Sequence, residues 1–240
     1  MQQQHIAAAF DRDLEALQAL IMKMGGLVEE SIHDAARAFI DRNAELAVRV
    51  QKADDRTDAL EEEVNQEAAR LIALRSPTAG DLRAVLGAMK ISANLERCGD
   101  YSKNLAKRTT ALAAMRPVEG SARSILRMSR EVAQMLKDAL DAYAQRDAEL
   151  AEEVRARDAD IDQMYNALFR EFLTHMMEDP RNITVCMHLH FIAKNMERMG
   201  DHVTSIAEQV IYMVRGEMPE ESRPKSDSTS FVDAGGGAGG

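Results

Sequence analysis

The chain has 240 residues, of which 45% are hydrophobic and 4% aromatic, with 15 Met and no Trp. This length allows one or two domains with an aliphatic core, and the content of Ala, Leu, Glu, Arg and Met favours helices. The formal net charge of -10 argues against broad binding to nucleic acid or anionic lipid, and no uncharged run approaches the ~20 residues that span a bilayer.

The apolar periodicity predicts six long helices, in chain order over about residues 10–41, 44–74, 81–114, 121–145, 148–178 and 183–216. Ser76-Pro77 and Asp179-Pro180 end the second and fifth helices, and residues 116–120 form the clearest linker. Short connections make neighbouring helices antiparallel. The sequence therefore predicts an all-α fold of two tandem three-helix bundles, residues 1–116 and 117–218, and a disordered Ser/Gly-rich tail at 219–240.

An internal duplication relates the two predicted bundles. Residues 42–47, Arg-Asn-Ala-Glu-Leu-Ala, return at 146–151 as Arg-Asp-Ala-Glu-Leu-Ala. Residues 94–100, Asn-Leu-Glu-Arg-Cys-Gly-Asp, return at 195–201 as Asn-Met-Glu-Arg-Met-Gly-Asp. Because the segments keep their order and nearly their spacing, they indicate a tandem duplication of a three-helix unit.

Each half carries two acidic pairs at i,i+4 spacing, which puts both carboxylates of a pair on one helix face. The pairs are Asp54/Asp58 and Glu96/Asp100 in the first half, and Asp158/Asp162 and Glu197/Asp201 in the second. In the second and sixth helices the acids come one position after an apolar stripe, so they are predicted to flank a buried seam. The second-helix stripe is Leu46, Val50, Ala53, Thr57, Leu60 and Val64.

Anions beside a buried seam are costly unless a cation lies between them. A duplicated metal site is therefore the first hypothesis. Ligands that are all oxygen suit Mg, Mn or Fe, and they fit poorly with a structural Zn site, which is rich in Cys. Two rival readings stay open: solvated helix faces on a metal-free structural adaptor, and ion pairs with Arg97 and Arg198, which follow the two Glu residues.

Catalytic readings have little support. A carboxylate-bridged di-iron oxidase needs two Glu-x-x-His motifs in one bundle, and the sequence offers Glu30-Ser31-Ile32-His33 without a repeat partner. It contains no Gly-rich phosphate loop, no Gly-x-Ser-x-Gly and no His-Glu-x-x-His. The chain is therefore not predicted to be an enzyme.

Two local features also carry expectations. Cys98 and Cys186 lie in helical patterns, and with no signal peptide they predict a reduced cytosolic protein with buried thiols. Gly25-Gly26 lies inside the first helix, where each Gly costs ~1 kcal/mol relative to Ala. This pair predicts a close helix crossing or a kink.

At these motifs the chain resembles the PhoU family of phosphate-signalling regulators. The resemblance covers about residues 10–216 and is most specific at residues 24–30, 95–100 and 196–202. It implies two tandem three-helix bundles with metal sites at the acidic motifs. Carried over by position, the ligands are Asp54, Asp58, Glu96 and Asp100 in one site, and Asp158, Asp162, Glu197 and Asp201 in the other. The implied ions are divalent or iron-type: Mg, Mn, Fe or Zn.

The resemblance also implies a non-enzymatic negative regulator of phosphate uptake and of the phosphate-starvation response. Such a protein couples the ATPase subunit of a phosphate ABC transporter to the sensor histidine kinase of the phosphate two-component system. A homodimer is implied, in the cytoplasm and peripheral to the inner membrane through its partners, with no nucleic-acid partner. Cys98 and Met199 stand where the family pattern has Ile, and neither replaces a carboxylate.

Overall fold

The computed structural model describes residues 2–219, with side chains from residue 9 onward, and within this range the protein is helical with no strand. The helices are α1 (Gln2–Ile40), α2 (Ala44–Ala53), α3 (Asp55–Arg75), α4 (Ala79–Leu112), α5 (Ser121–Gln145), α6 (Ala148–Ala156), α7 (Asp158–Glu178) and α8 (Ile183–Arg215), with a 3-10 turn at Pro180–Asn182. The all-α prediction is confirmed. The predicted tail lies outside the described residues, apart from Pro219.

Six rods follow one another as predicted, but two of them are interrupted. The predictions of one continuous helix over 44–74 and one over 148–178 were each wrong at a single residue. The first rod is divided into α2 and α3 at Asp54, and the second into α6 and α7 at Arg157. The backbone stays right-handed there, with φ of -60° at Asp54 and -75° at Arg157. We call each one-residue interruption a kink, and both occur where an acidic pair begins.

The repeated Arg-Asn/Asp-Ala-Glu-Leu-Ala segment starts the second rod of each half. Asn43 accepts a hydrogen bond from the Leu46 backbone N–H, and Asp147 accepts from Glu149 and Leu150. These side chains satisfy amides that the first helical turn leaves without partners. The duplication therefore preserves a helix start as well as the acidic motifs.

The two halves pack together through one continuous core. α4 lies against α8, and α1 lies against α5. Where α4 and α8 meet, the Cys98 thiol is 3.9 Å from the Met199 carbonyl oxygen and the Ser102 hydroxyl is 3.8 Å from the Met199 sulfur. The apolar stripe of α8 is buried throughout, as are both free cysteines. No helix of the described range is long and apolar enough to cross a membrane.

At the kink, the residue that faces the buried seam is Asp54 and not Ala53. Ala53 was predicted to belong to the buried stripe, but it is exposed. Asp54, predicted to lie at the edge, is only 4% exposed. Asp54 comes four residues after the buried Val50 and three before the buried Thr57, so helical spacing allows its carboxylate to face inward. The structure therefore buries an anion where the sequence pattern placed a methyl group.

Candidate metal centre

We call Asp54, Asp58, Glu96 and Asp100 the N-terminal site. It lies where the α2–α3 kink meets α4, and Gly99 of α4 lets the Asp54 side chain come close to that helix. A Cβ built on Gly99 would lie 3.0 Å from the Asp54 Oδ1 atom, which is tighter than ordinary van der Waals contact. The Gly of the repeated motif therefore lets a buried carboxylate rest against α4.

A lysine that the sequence analysis overlooked joins two of these acids. The Lys103 Nζ atom lies 2.6 Å from Asp54 Oδ2 and 3.7 Å from Asp100 Oδ1. Arg97 lies 3.5 Å from Glu96 and 3.7 Å from Asp100, as the ion-pair reading expected. Because the Arg97 side chain is 60% exposed, its pairs contribute little to stability. Lys103 is therefore the principal counter-charge of the N-terminal site.

The N-terminal site still holds uncompensated negative charge. Burial and then the charge of Asp100 raise the pKa of Glu96 to about 7. Partial burial and the charge of Asp54 also raise the pKa of Asp58, although Asp58 itself is exposed. Both groups thus hold a proton more tightly in the folded chain than in the unfolded one.

We expect the N-terminal site to make stability depend on pH through Glu96. Its folded pKa of about 7 lies above the ordinary value of 4.5, so the folded state binds the proton more tightly. The stability contribution is complete below the unfolded pKa and is lost as pH rises through the folded pKa. In chelator, Glu96→Gln is expected to gain about 2 kcal/mol over wild type between pH 5 and pH 8, measured by urea unfolding at each pH. Glu62→Gln, at an exposed position of α3, is the control, and a gain that does not change with pH contradicts the assignment.

We call Asp158, Asp162, Glu197 and Asp201 the C-terminal site. It lies where the α6–α7 kink meets α8, and three of its acids are buried, namely Asp158, Asp162 and Glu197. The Thr204 hydroxyl donates to Asp158 Oδ1 at 3.2 Å, and Lys194 Nζ donates to Glu197 Oε1 at 2.7 Å. This site is more deeply buried than its N-terminal counterpart.

Glu197 carries an oxygen that the protein leaves unsatisfied. Its Oε2 atom is buried without a hydrogen-bond partner, and the residue is 6% exposed. Burial raises the pKa of Glu197 despite the hydrogen bond from Lys194, and the charges of Asp201 and Asp162 act in the same direction. An orphaned buried carboxylate oxygen is costly, so this atom is a candidate cation ligand.

The carboxylates of each half meet, but not as finished coordination spheres. Among residues 9–219, no three His, Cys, Asp or Glu side chains are grouped to hold a metal ion. Lys103 and Lys194 help to explain this, because an ammonium 2.6–2.7 Å from a carboxylate oxygen uses lone pairs that a metal would need. The eight predicted metal ligands therefore stay a prediction.

Helical spacing places both lysines within reach of a motif acid. Lys103 comes three residues after Asp100, and Lys194 comes three residues before Glu197. Residues three apart are neighbours on a helix surface. His202, next to Asp201 in sequence, also contacts α4: its Nδ1 atom lies 2.8 Å from Asn94 Oδ1, and its ring packs against Tyr101.

The duplicated architecture matches a known domain twice. The PhoU domain family model matches residues 21–109 and again residues 125–210. The chain belongs to the PhoU family. Each PhoU match covers most of one bundle and includes both acidic pairs of that half, so the predicted duplication and the family resemblance are confirmed.

Named relatives and solved PhoU structures agree with this membership. A "phosphate-specific transport system accessory protein PhoU homolog" of Rhizobium meliloti is 46% identical over 97% of this chain and 98% of its own length. A homologue with the same description from Caulobacter vibrioides is 45% identical over 95% of this chain and 99% of its own. The crystal structure of PhoU from Pseudomonas aeruginosa covers 87% of this chain and all of its own, with 37% identity and a TM-score of 0.84. A phosphate transport system regulatory protein PhoU from Streptococcus pneumoniae is 29% identical, with a TM-score of 0.82, covering 88% of this chain and 100% of its own.

The two sites of this PhoU-family chain differ in how well they fit a metal ion. The C-terminal site includes the orphaned Glu197 Oε2, an oxygen donor of the kind that hard cations prefer, and the Lys194 ammonium lies 2.7 Å from the other carboxylate oxygen of Glu197. In the N-terminal site the Lys103 ammonium already lies against Asp54 and Asp100. Each site therefore has an ammonium against one carboxylate, and among the described residues only the C-terminal site also has a buried carboxylate oxygen without a hydrogen-bond partner.

Proposed function

We propose that the chain is a PhoU-type accessory protein of phosphate transport, which represses phosphate uptake and the phosphate-starvation response when phosphate is plentiful. The observation that carries this proposal is the 46% identity, over 97% of the chain, to a relative described as a phosphate-specific transport system accessory protein. Coverage of 98% of that relative means that the similarity includes nearly the whole protein. The proposed role is regulatory and not enzymatic.

In this role the chain couples the ATPase subunit of a phosphate ABC transporter to the sensor histidine kinase of the phosphate two-component system. It acts as a homodimer on the cytoplasmic side of the inner membrane, held there by its partners. The fold suits a scaffold: α4 and α8, of 34 and 33 residues, are each about 50 Å long and share one core. Sites on packed helices hold their side chains more firmly than sites on loops.

Metal binding belongs to the same proposal, with a divalent or iron-type ion such as Mg, Mn, Fe or Zn. A bound ion supplies positive charge and open coordination positions for carboxylate or phosphate oxygens of a partner. Glu197, with its free Oε2 atom, and the adjacent Asp162 and Asp201 are the residues that would hold it. These side chains would then present a neutralised face where the bare chain presents anions.

We expect Glu197→Gln/Asp201→Asn to derepress a phosphate-starvation reporter in high phosphate, to a level approaching that of a deletion strain. The substitutions keep side-chain shape and remove two ligand charges. The matched control is Glu149→Gln/Glu153→Gln, an acidic i,i+4 pair exposed on α6 in the same half, which is expected to leave repression unchanged. Full repression by the first variant would remove the C-terminal site from the mechanism.

Partner coupling has its own test. The tagged full chain is recovered from solubilised membranes, and a phosphate-transport ATPase subunit and a sensor histidine kinase are sought by mass spectrometry. Recovery of both supports the proposed link. Recovery of neither, from cells in which the reporter is repressed, overturns it.

A further inference from the structure

We propose that an apolar and cationic surface near the start of α8, outside the acidic motifs, docks a segment of a partner protein that carries Asp or Glu beside apolar side chains. We call this surface the α8 patch, and it consists of Ile183, Met187, His190 and Phe191 of α8 with Arg108 of α4. The inference rests on the proposed function in one respect, namely that the chain works through protein partners. It adds the place where one of them binds.

The outer face of α8 is apolar near the start of the helix. Ile183, Met187 and Phe191 are 47%, 40% and 41% exposed, and their spacing of four residues makes a stripe about 12 Å long. Residues 182–193 contain no Asp, Glu, Lys or Arg, and the opposite face of this segment is buried in the core. A helix that is apolar all round is normally covered by protein. Within residues 9–219, nothing covers this outer face.

The repeat shows that this helix position does not itself require an apolar residue. When the two halves are aligned on the repeated motif at 94–100 and 195–201, Phe191 corresponds to Lys90. Lys90 is exposed on α4, and a charged side chain is what a solvated helix surface normally carries. The exposed aromatic ring is therefore a property of the C-terminal half and not of the repeated unit.

A cation without a carboxylate partner lies against the stripe. The Arg108 guanidinium carbon is 4.2 Å from the centroid of the Phe191 ring, which is a cation–π contact. Burial lowers the pKa of Arg108, and no carboxylate among the described residues pairs with it. Burial also lowers the pKa of His190, and the positive charges of Lys194 and Arg108 lower it further. Because Lys194 is paired with Glu197, Arg108 is the cation that a partner can engage.

These features fit an acidic protein segment better than they fit the other possible occupants. Aromatic side chains, Met and Arg are enriched in protein interfaces, and the fork of an Arg binds a carboxylate through two hydrogen bonds. A two-fold contact with a second copy would bring the cations of the α8 patch together, which is unfavourable. An anionic bilayer would be repelled by the formal net charge of -10. The occupant that fits covers the stripe with apolar side chains and pairs an Asp or Glu with Arg108.

The test replaces Phe191 of the full chain by the photoreactive residue p-benzoyl-phenylalanine, in cells that carry the phosphate-starvation reporter. Irradiation is expected to join position 191 to another protein, at a segment with Asp or Glu among apolar residues, as identified by mass spectrometry. Arg108→Glu is expected to lower the adduct yield about tenfold, as for a residue central to an interface. Arg130→Glu, at an exposed position of α5, changes the net charge equally and is expected to leave the yield unchanged. The same label at Met187 repeats the measurement, and a label at Leu74, which is 65% exposed on α3, is expected to give no adduct that depends on Arg108.

A charge exchange decides the pairing. Replacing the acid of the joined segment by Arg is expected to restore the adduct in the Arg108→Glu chain and to lose it in the chain with Arg108. The inference is overturned by adducts only with a second copy, only with lipid, or with a segment that has no acid, and by a yield that Arg108→Glu does not change. If circular dichroism shows that Arg108→Glu is unfolded, Arg108→Gln takes its place. A wild-type chain that does not repress the reporter overturns the proposed regulatory role, and the adduct still decides whether the α8 patch binds an acidic segment.

Discussion

Replacing Gly25 with Leu is expected to lower the free energy of unfolding by about 3 kcal/mol. Gly25 lies in α1 where it crosses α5, and a Cβ built on it would lie 2.4 Å from the Leu140 Cδ1 atom and 3.2 Å from its Cγ atom. Leu140 is only 4% exposed, so a new rotamer would have to fit among other buried side chains. Relief would require Leu140 to change rotamer there or α1 to move away from α5, and either change would disturb the core that joins the two halves.

The neighbouring glycine provides the matched control. A Cβ on Gly26 would have nothing within 4 Å, and Gly26 is exposed. Gly26→Leu is therefore expected to gain about 0.5–1 kcal/mol, because Leu is a better helix former than Gly. Urea unfolding followed by circular dichroism measures both variants. Equal effects of the two substitutions would mean that helix propensity, and not the crossing, governs position 25.

This pair of glycines illustrates what the sequence could and could not predict about the fold. A Gly-Gly step in a helical pattern predicted a crossing or a kink, and the structure shows a crossing at Gly25 with α1 unbroken from Gln2 to Ile40. The sequence could not distinguish Gly25 from Gly26, because the difference lies in which residue of another helix comes opposite. The helix ranges were predictable because apolar stripes and proline breaks are local properties of the chain.

The kink at Asp54 shows where local pattern fails. Helical spacing allowed either Ala53 or Asp54 to follow Val50 in the buried stripe, and the structure buries Asp54. No residue around Asp54 is a strong helix breaker, so we attribute the kink to tertiary contacts. These are the ion pair of the buried Asp54 carboxylate with Lys103 and the close packing of that carboxylate against Gly99. Tertiary packing overrides local propensity at such positions.

The sequence predicted which acids of each half come together, but not how the halves differ. The repeat of Glu-Arg-x-Gly-Asp made the two sites look alike, and the lysines stood outside the motif. Lysine side chains are long and flexible, so spacing indicates which acids a lysine can reach and does not select among them. The structure selects Asp54 for Lys103 and Glu197 for Lys194, which makes the two sites chemically distinct.

Lys103→Met is expected to destabilise the metal-free protein by about 3 kcal/mol. The substitution keeps most of the apolar stem and removes the charge, which leaves Asp54 as an unpaired anion in a position that is 2% exposed. Breaking a buried ion pair by removing one partner typically costs 3–5 kcal/mol, and the 26% exposure of Lys103 places this pair at about the lower end of that range. Urea unfolding in chelator measures the loss, and Lys107→Met, at an exposed position of α4, is expected to change stability by less than about 0.5 kcal/mol.

A double variant separates the charge from the packing. Adding Asp54→Asn to Lys103→Met removes the buried charge that the single variant leaves behind, so most of the lost stability is expected to return. Replacing a buried pair by neutral groups is often nearly neutral, whereas breaking it is not. If the double variant is as unstable as the single one, Lys103 acts through its stem and not through its charge. Recovery would instead mean that Lys103 acts through its charge, as the counter-ion of the buried Asp54 carboxylate.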